Sequence, residues 1–391
     1  MIARARHPLV KVAFATAILL VFLLGAEAFC RIVKPDERWF RDPYANQGQL
    51  ATLFKYDYTI GWTGRPGAKV LFTDEHLNSR GLRGPEFPDE KPPSTVRIAA
   101  LGDSCTFQIQ MNDVKAPIPL VELDDPYPAV LNLLLSRYDT PERRYEVVNG
   151  GMIGYSTLQG LRFMRKEAFR WQPDVILIKF GWNDQWIHSY DSRSPAESHH
   201  AALRWVSWRL LQSRFYALLS RAITTAMAPP DAWKKAGRAS KPRWPGAPPI
   251  NQLRVPPEEF AFHLRLMIRE ARAHGAVPIL LTAPMSVVKP TLRASSYLGD
   301  IIAGTGYGTA ESILAMHARY NAIVVRVARE EHAPCIDLDA AVAAQGRGQF
   351  FGTTELMHPN ARASWLTAEL VLEELQHLGI VPPEEPPRDA R

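Results

Sequence analysis

Four short polar clusters hold the residue types that acyl transfer through a hydroxyl would require. The first, "LGDSCTFQ" at 101–108, presents Ser104 directly after the apolar run of residues 96–100. The second, "NGGMIGYST" at 149–157, supplies Gly150, Gly151 and Gly154, and the third, "GWND" at 181–184, supplies Asn183. The fourth, "TTELMHPNA" at 353–361, supplies Glu355 and His358. Serine chemistry at a carbonyl needs a nucleophile, a base, a group that orients the base, and donors for the oxyanion. Ser104 suits the first role and His358 the second. Glu355, three residues before the imidazole, suits the third. The N–H of Ser104 at a helix start, the N–H of Gly154 and the side-chain amide of Asn183 suit the fourth. Each residue also has a plainer reading. Ser104 would mark a turn, Asn183 would cap the next segment, and His358 would lead into a helix through Pro359. Asp103 reads as a helix N-cap, Gly150 and Gly151 as turn glycines, and Asp184 as structural.

What places such clusters together is an alternation of strands and helices. Runs rich in Val, Ile and Leu at 96–101, 145–149, 174–180, 277–282 and 335–338 read as buried parallel strands. Helical patterns at 127–137, 157–169, 257–274, 311–331 and 361–377 separate or follow them. The alternation implies an α/β fold with a doubly wound parallel sheet. In such sheets ligands bind beyond the carboxyl ends of the strands, and all four clusters fall at that edge. A β-rich lead-in at 31–95 precedes the sheet, an insert at 185–255 interrupts it, and 381–391 reads as a tail. The insert carries "LRWVSWRLLQSRFYALLSRAI", which reads as one basic amphipathic helix with Trp205, Trp208 and Phe215. Residues 111–125 are expected to wall the cleft.

Charge and composition narrow the classes. Between residues 201 and 254 there are ten Lys or Arg and one acidic residue, Asp231, so the net charge of +6 is a local excess. This suits an anionic lipid or polymer surface more than nucleic acid; a solvated helix face is the plain alternative. Three cysteines, Cys30, Cys105 and Cys335, form neither a disulfide framework nor a zinc spacing. "GTGYG" at 304–308 has neither dinucleotide nor P-loop spacing, and no G-x-S-x-G elbow is present. At the N-terminus, Arg4, Arg6 and Lys11 precede an apolar run at 12–26. Residues 12–30 read as a signal anchor in preference to a cleaved signal ending at Ala26-Glu27-Ala28.

Together the four clusters resemble those of the SGNH (GDSL-type) hydrolases, in family order, over about residues 97–376 without the insert. "NSRGLRGPEF" at 78–87 resembles what precedes the first cluster in membrane-anchored bacterial members. The resemblance implies a five-stranded, flavodoxin-like SGNH domain at 96–380 behind a membrane helix at 1–30. It implies a serine esterase acting on short acyl esters of envelope glycans or small molecules on the extracytoplasmic face, with no cofactor and no metal. It assigns Ser104 as nucleophile, His358 as base, and Ser104, Gly154 and Asn183 as the oxyanion hole. Two positions depart from the family pattern. Glu355 stands where Asp is usual, one methylene longer, and Cys105 stands where Leu is usual, reading as a small buried residue rather than a rival thiol. An O-acyltransferase using the same site, or an inactive glycan-binding protein on the same fold, are the alternatives.

Overall fold

Five short apolar runs form one parallel sheet in which both faces are buried. The computed structural model describes residues 6–35, 50–70, 73–108, 126–186, 199–226, 253–286, 309–351 and 357–383. In chain order the elements are α1 (Arg6–Val33), β1 (Phe54–Asp57), β2 (Gly61–Gly64), β3 (Thr95–Gly102), α2 (Ser104–Phe107), α3 (Tyr127–Leu135), β4 (Arg144–Gly151), α4 (Thr157–Lys166) and β5 (Val175–Lys179). There follow α5 (Ala201–Leu211), α6 (Arg214–Ala226), α7 (Pro257–Ala273), β6 (Val277–Leu281), α8 (Ala310–Glu330), β7 (Cys335–Ile336), α9 (Leu338–Ala344) and α10 (Ala361–His377). The large sheet has the order β4-β3-β5-β6-β7, and every pairing in it is parallel. β3 is therefore flanked on both sides, and the chain reverses direction across the sheet at that strand. This is the doubly wound arrangement that the strand–helix alternation implies.

Alternate strand residues serve two cores. Ile98, Ala100, Val175 and Leu177 pack with α3 and α10, through Leu131, Leu135, Val371 and Leu375. Ala99, Leu101, Ile176 and Ile178 face the other layer, which contains Leu161 of α4, Phe260 and Leu264 of α7, and Tyr320 of α8. With both faces covered, each strand reads as an unbroken apolar run. The one cation in β5, Lys179, is buried at the strand's carboxyl end.

The lead-in contains a small antiparallel sheet, β1 with β2, that packs on the second core through Phe54, Ile60 and Trp62. Trp62 Nε1 donates to the Ile153 carbonyl at 3.0 Å, and Tyr155 Oη donates to the Trp62 carbonyl at 2.6 Å. The lead-in is thereby fastened to the "NGGMIGYST" cluster.

Two expectations require correction. Gly150 and Gly151 are not turn residues: they end β4, paired with Leu101 and Gly102 of β3. The amphipathic segment of the insert is not one helix but two, α5 and α6, broken at Gln212 and Ser213. The break has a cause outside the segment. Ser213 Oγ accepts from Tyr216 N at 3.1 Å, and Glu27 of α1 reaches across to the new helix start. Residues 10–33 of α1 are long and apolar enough to cross a membrane, and their large side chains are exposed. The segments 111–125 and 304–308 lie outside the described residues.

Candidate active site

The sheet register carries three of the four clusters to one edge. Gly102, the last residue of β3, pairs with Gly151 of β4 on one side and with Lys179 of β5 on the other. The residues that follow these three strand ends are Asp103–Ser104, Met152–Gly154 and Phe180–Asn183. The fourth cluster arrives just ahead of α10. It brings His358 Nε2 to 3.0 Å from Ser104 Oγ, across 254 positions of sequence. Ser104 and His358 are each 7% exposed, so the pair is largely buried yet keeps some contact with solvent.

Local chemistry explains how Ser104 is held. Asp103 caps α2: its Oδ1 accepts from Cys105 N at 2.9 Å, as its position predicts. Ser104 begins that helix, where the first N–H groups lack intrahelical acceptors. Asp103 is buried, and burial holds its carboxyl above the usual range. The Cys105 N–H and the charges of Lys179 and His358 oppose that rise. Lys179 donates from Nζ to the Cys105 carbonyl at 3.0 Å, and its ammonium lies 4.5 Å from the centre of the Tyr127 ring. Burial lowers the pKa of this ammonium.

The turn that carries Ser104 also grips His358 from both sides. Cys105 Sγ donates to the Met357 carbonyl at 3.2 Å, and Gln108 Nε2 donates to the Pro359 carbonyl at 2.7 Å. The neighbours of the imidazole are thus registered against the helix of the hydroxyl. This agrees with the reading of Cys105 as a small buried residue. Gln108 itself takes a positive φ of 64°, and its carbonyl accepts from Arg83 at 2.6 Å. Arg83, from the lead-in, also donates to the Phe107 carbonyl and is paired with Glu75.

The second and third clusters meet beside this pair. Asn183 Nδ2 donates to the Tyr155 carbonyl at 3.1 Å, which uses one of its two amide hydrogens. Gly154 has a φ of +77°, a conformation that favours glycine. Its carbonyl accepts from Arg254 Nη1 at 2.6 Å. Gly151 is required for a different reason. A Cβ there would lie 2.3 Å from Phe107 N, so only glycine lets β4 approach the turn of Ser104. Asn149 closes this contact, donating to the Thr106 carbonyl at 3.2 Å while accepting from Gly151 N at 2.9 Å.

Of the five residues singled out from the sequence, Ser104 and His358 are in direct contact. Asn183, after β5, donates to the carbonyl of Tyr155, the residue that follows Gly154 beyond β4, and Glu355 lies outside the described residues. Gln108, Lys179 and Arg83 were not anticipated. Gln108 carried a faint signal, one helical turn beyond Ser104. Lys179 carried a stronger one, as a cation closing the apolar run "VILIK". Among the described residues, no group of three or more His, Cys, Asp or Glu side chains could hold a metal ion. The arrangement suits removal of a hydroxyl proton by an imidazole, with amide donors near the attacked carbonyl.

Residues 100–366, more than half of the chain, match the model of the GDSL-like Lipase/Acylhydrolase family. No curated protein matches the sequence. Among solved structures, the chain is similar to a lipase/acylhydrolase from Enterococcus faecalis at 16% identity and a TM-score of 0.43. That alignment covers 74% of this chain and all of the other. It is also similar to the acetylxylan esterase Axe2 from Geobacillus stearothermophilus at 15% identity and a TM-score of 0.39. There 73% of this chain and 96% of the other are covered. The chain belongs to the GDSL-like lipase/acylhydrolase family and is a hydrolase of ester bonds.

Proposed function

We propose that the protein is a membrane-anchored serine esterase that cleaves short acyl esters, carried on envelope glycans or small molecules, on the extracytoplasmic side. Ser104 Oγ attacks the ester carbonyl carbon while His358 Nε2 takes the hydroxyl proton. The oxyanion is held by the N–H groups of Ser104 and Gly154 and by the second amide hydrogen of Asn183. Collapse of the tetrahedral intermediate expels the alcohol, which receives its proton from His358. Water then attacks the acyl-enzyme with His358 as base, releasing the carboxylic acid and restoring Ser104. Glu355 is assigned to orient the imidazole.

The observation that carries this reading is the 3.0 Å hydrogen bond between Ser104 and His358. Support for the anchor comes from α1, apolar and exposed over residues 10–33. The test is covalent labelling by a fluorophosphonate together with hydrolysis of p-nitrophenyl acetate. The wild type should show both, and Ser104→Ala should lose both while its thermal unfolding is unchanged. Undiminished turnover in Ser104→Ala would remove the serine mechanism. Added sugar acceptors that divert the acyl group from water would make the enzyme a transferase.

A further inference from the structure

We propose that the α5–α6 hairpin is a second membrane-contacting element, with its outer face lying in the interfacial layer of a bilayer containing anionic lipid. The inference rests on the reading of α1 as an anchor and concerns a different part of the chain.

α5 has two apolar faces. The inner one holds the hydrolase body. Arg204 lies over the Phe262 ring at 5.6 Å, Trp208 lies under the Arg165 guanidinium at 5.6 Å, and Leu211 is buried. These positions, 204, 208 and 211, follow helical spacing. The other side carries a second apolar set: Leu203, Val206 and Leu210 are exposed, and Trp205 is 61% exposed. On α6, Leu219 and Ile223, one turn apart, are exposed as well. A water-soluble surface rarely gathers so many large apolar side chains in one patch. Arg209 lies 5.4 Å from the Trp205 ring, a cation and an indole arranged as at a lipid–water boundary. Arg204 and Arg214 lie over Phe262 and Tyr58, which leaves Arg209 beside the exposed Trp205, and the two helices carry no acidic residue. That is the composition of a helix lying on anionic lipid.

The occupant is indicated by what the hairpin is bolted to. Glu27 of α1 accepts from Ser213 Oγ at 2.7 Å, from Phe215 N at 3.0 Å and from Arg214 N at 3.2 Å. The carboxylate of one helix thus caps the N-terminus of another, where its charge is also favoured by the helix dipole. Phe22, further into the apolar run, meets Phe215 edge-on with ring centres 6.3 Å apart. Arg31 pairs with Glu27 at 2.7 Å and reaches the Gln212 carbonyl at 3.4 Å. The hairpin's turn is therefore fixed at the end of the apolar run of residues 12–26. If that run fills the hydrocarbon, the turn stands at the headgroups. α5 ends and α6 begins at that turn, so both helices leave it at the level of the headgroups.

The test uses the full chain in a Cys335→Ser background, reconstituted into vesicles of phosphatidylcholine and phosphatidylglycerol. Nitroxide labels are placed singly through Val21→Cys, Trp205→Cys, Leu219→Cys and, as a control on the exposed side of α3, Leu133→Cys. Unchanged thermal unfolding certifies each variant. Collisions with lipid-soluble oxygen and with a water-soluble nickel chelate are compared at each site. The expected result is oxygen access with nickel exclusion at 21, 205 and 219, and the reverse at 133. Labels at 205 and 219 open to nickel, with 21 in lipid, would overturn the hairpin's role and leave the anchor intact. Labels at 205 and 219 shielded from both reagents would overturn it in favour of a protein partner. A label at 21 open to nickel would overturn the anchor, and this inference with it.

Discussion

Two hydroxyl–imidazole pairs stand in this molecule at nearly the same separation. Ser104 Oγ is 3.0 Å from His358 Nε2, and Thr157 Oγ1 is 3.1 Å from His263 Nδ1. Distance alone does not separate a reactive pair from a structural one; wiring and access do. The Thr157 hydroxyl donates its proton to Asp184 Oδ1 at 2.6 Å, and Thr157 N donates to the same oxygen at 2.9 Å. With that proton committed, His263 Nδ1 must be the donor towards Oγ1 and cannot act as its base. Thr157, Asp184 and His263 are fully buried. Burial drives the His263 pKa down to about 3, helped by the charges of Arg162, Arg165 and His199. Burial pushes the Asp184 carboxyl up to about 6 against the two Thr157 donors. At the rim the carboxylate that adjoins Ser104 in sequence, Asp103, is engaged through Oδ1 by the helix N-terminus. The inner trio fastens the start of α4 to the residue after Asn183. The outer pair, each member 7% exposed, is the one we assign to chemistry.

Substitutions can break this contrast. The largest effect is expected at the outer imidazole: His358→Ala should lower kcat by about 10⁴–10⁶. Glu355→Gln should cost less than that, since a backbone carbonyl could still orient the ring; equal losses measured with p-nitrophenyl acetate would contradict the ranking. Asn183→Ala should lower kcat by about 10²–10³ with folding intact. A loss below threefold would make Asn183 structural.

The inner trio should respond in stability instead. His263 stays neutral in the fold but takes a proton in the unfolded chain below its ordinary value. The unfolded state then binds more protons, so stability falls as pH drops from about 6.5 towards 3. Asp184 acts with the opposite sign between about 4 and 6, because there the folded state holds the extra proton. Replacing His263 by Phe should therefore change the pH slope of stability by about 1.4 kcal/mol per pH unit towards greater stability in acid, read from urea midpoints. The smallest effect is expected of Thr157→Val, which removes one donor from a buried carboxylate. It should cost about 1–3 kcal/mol and leave kcat essentially unchanged. A collapse of kcat there, without loss of fold, would erase the distinction between the two pairs.

The rim was legible in the sequence because strand ends announce themselves. Gly102, Gly154 and Gly181 interrupt apolar runs, and the polar residues beside them have few reasons to stand there. The inner trio was not legible, since Thr157, Asp184 and His263 come from three distant segments and each alone looks like an ordinary core or capping residue. The break between α5 and α6 escaped for the same reason. Its cap, Glu27, lies 186 positions before Ser213. Local periodicity reports what a segment prefers, while the partner that overrides it is recorded elsewhere in the chain.

Arg83 bears on how the enzyme can be shortened. The residues that match the family begin at 100 and the central strand β3 at Thr95, so a chain trimmed to begin with that strand would keep Ser104, Asn183 and His358. It would discard the guanidinium that satisfies the carbonyls of Phe107 and Gln108. Gln108 would then be free to swing, and with it the Pro359 carbonyl that fixes one flank of the imidazole. Such a fragment would retain every signature residue and still misalign the two that must meet.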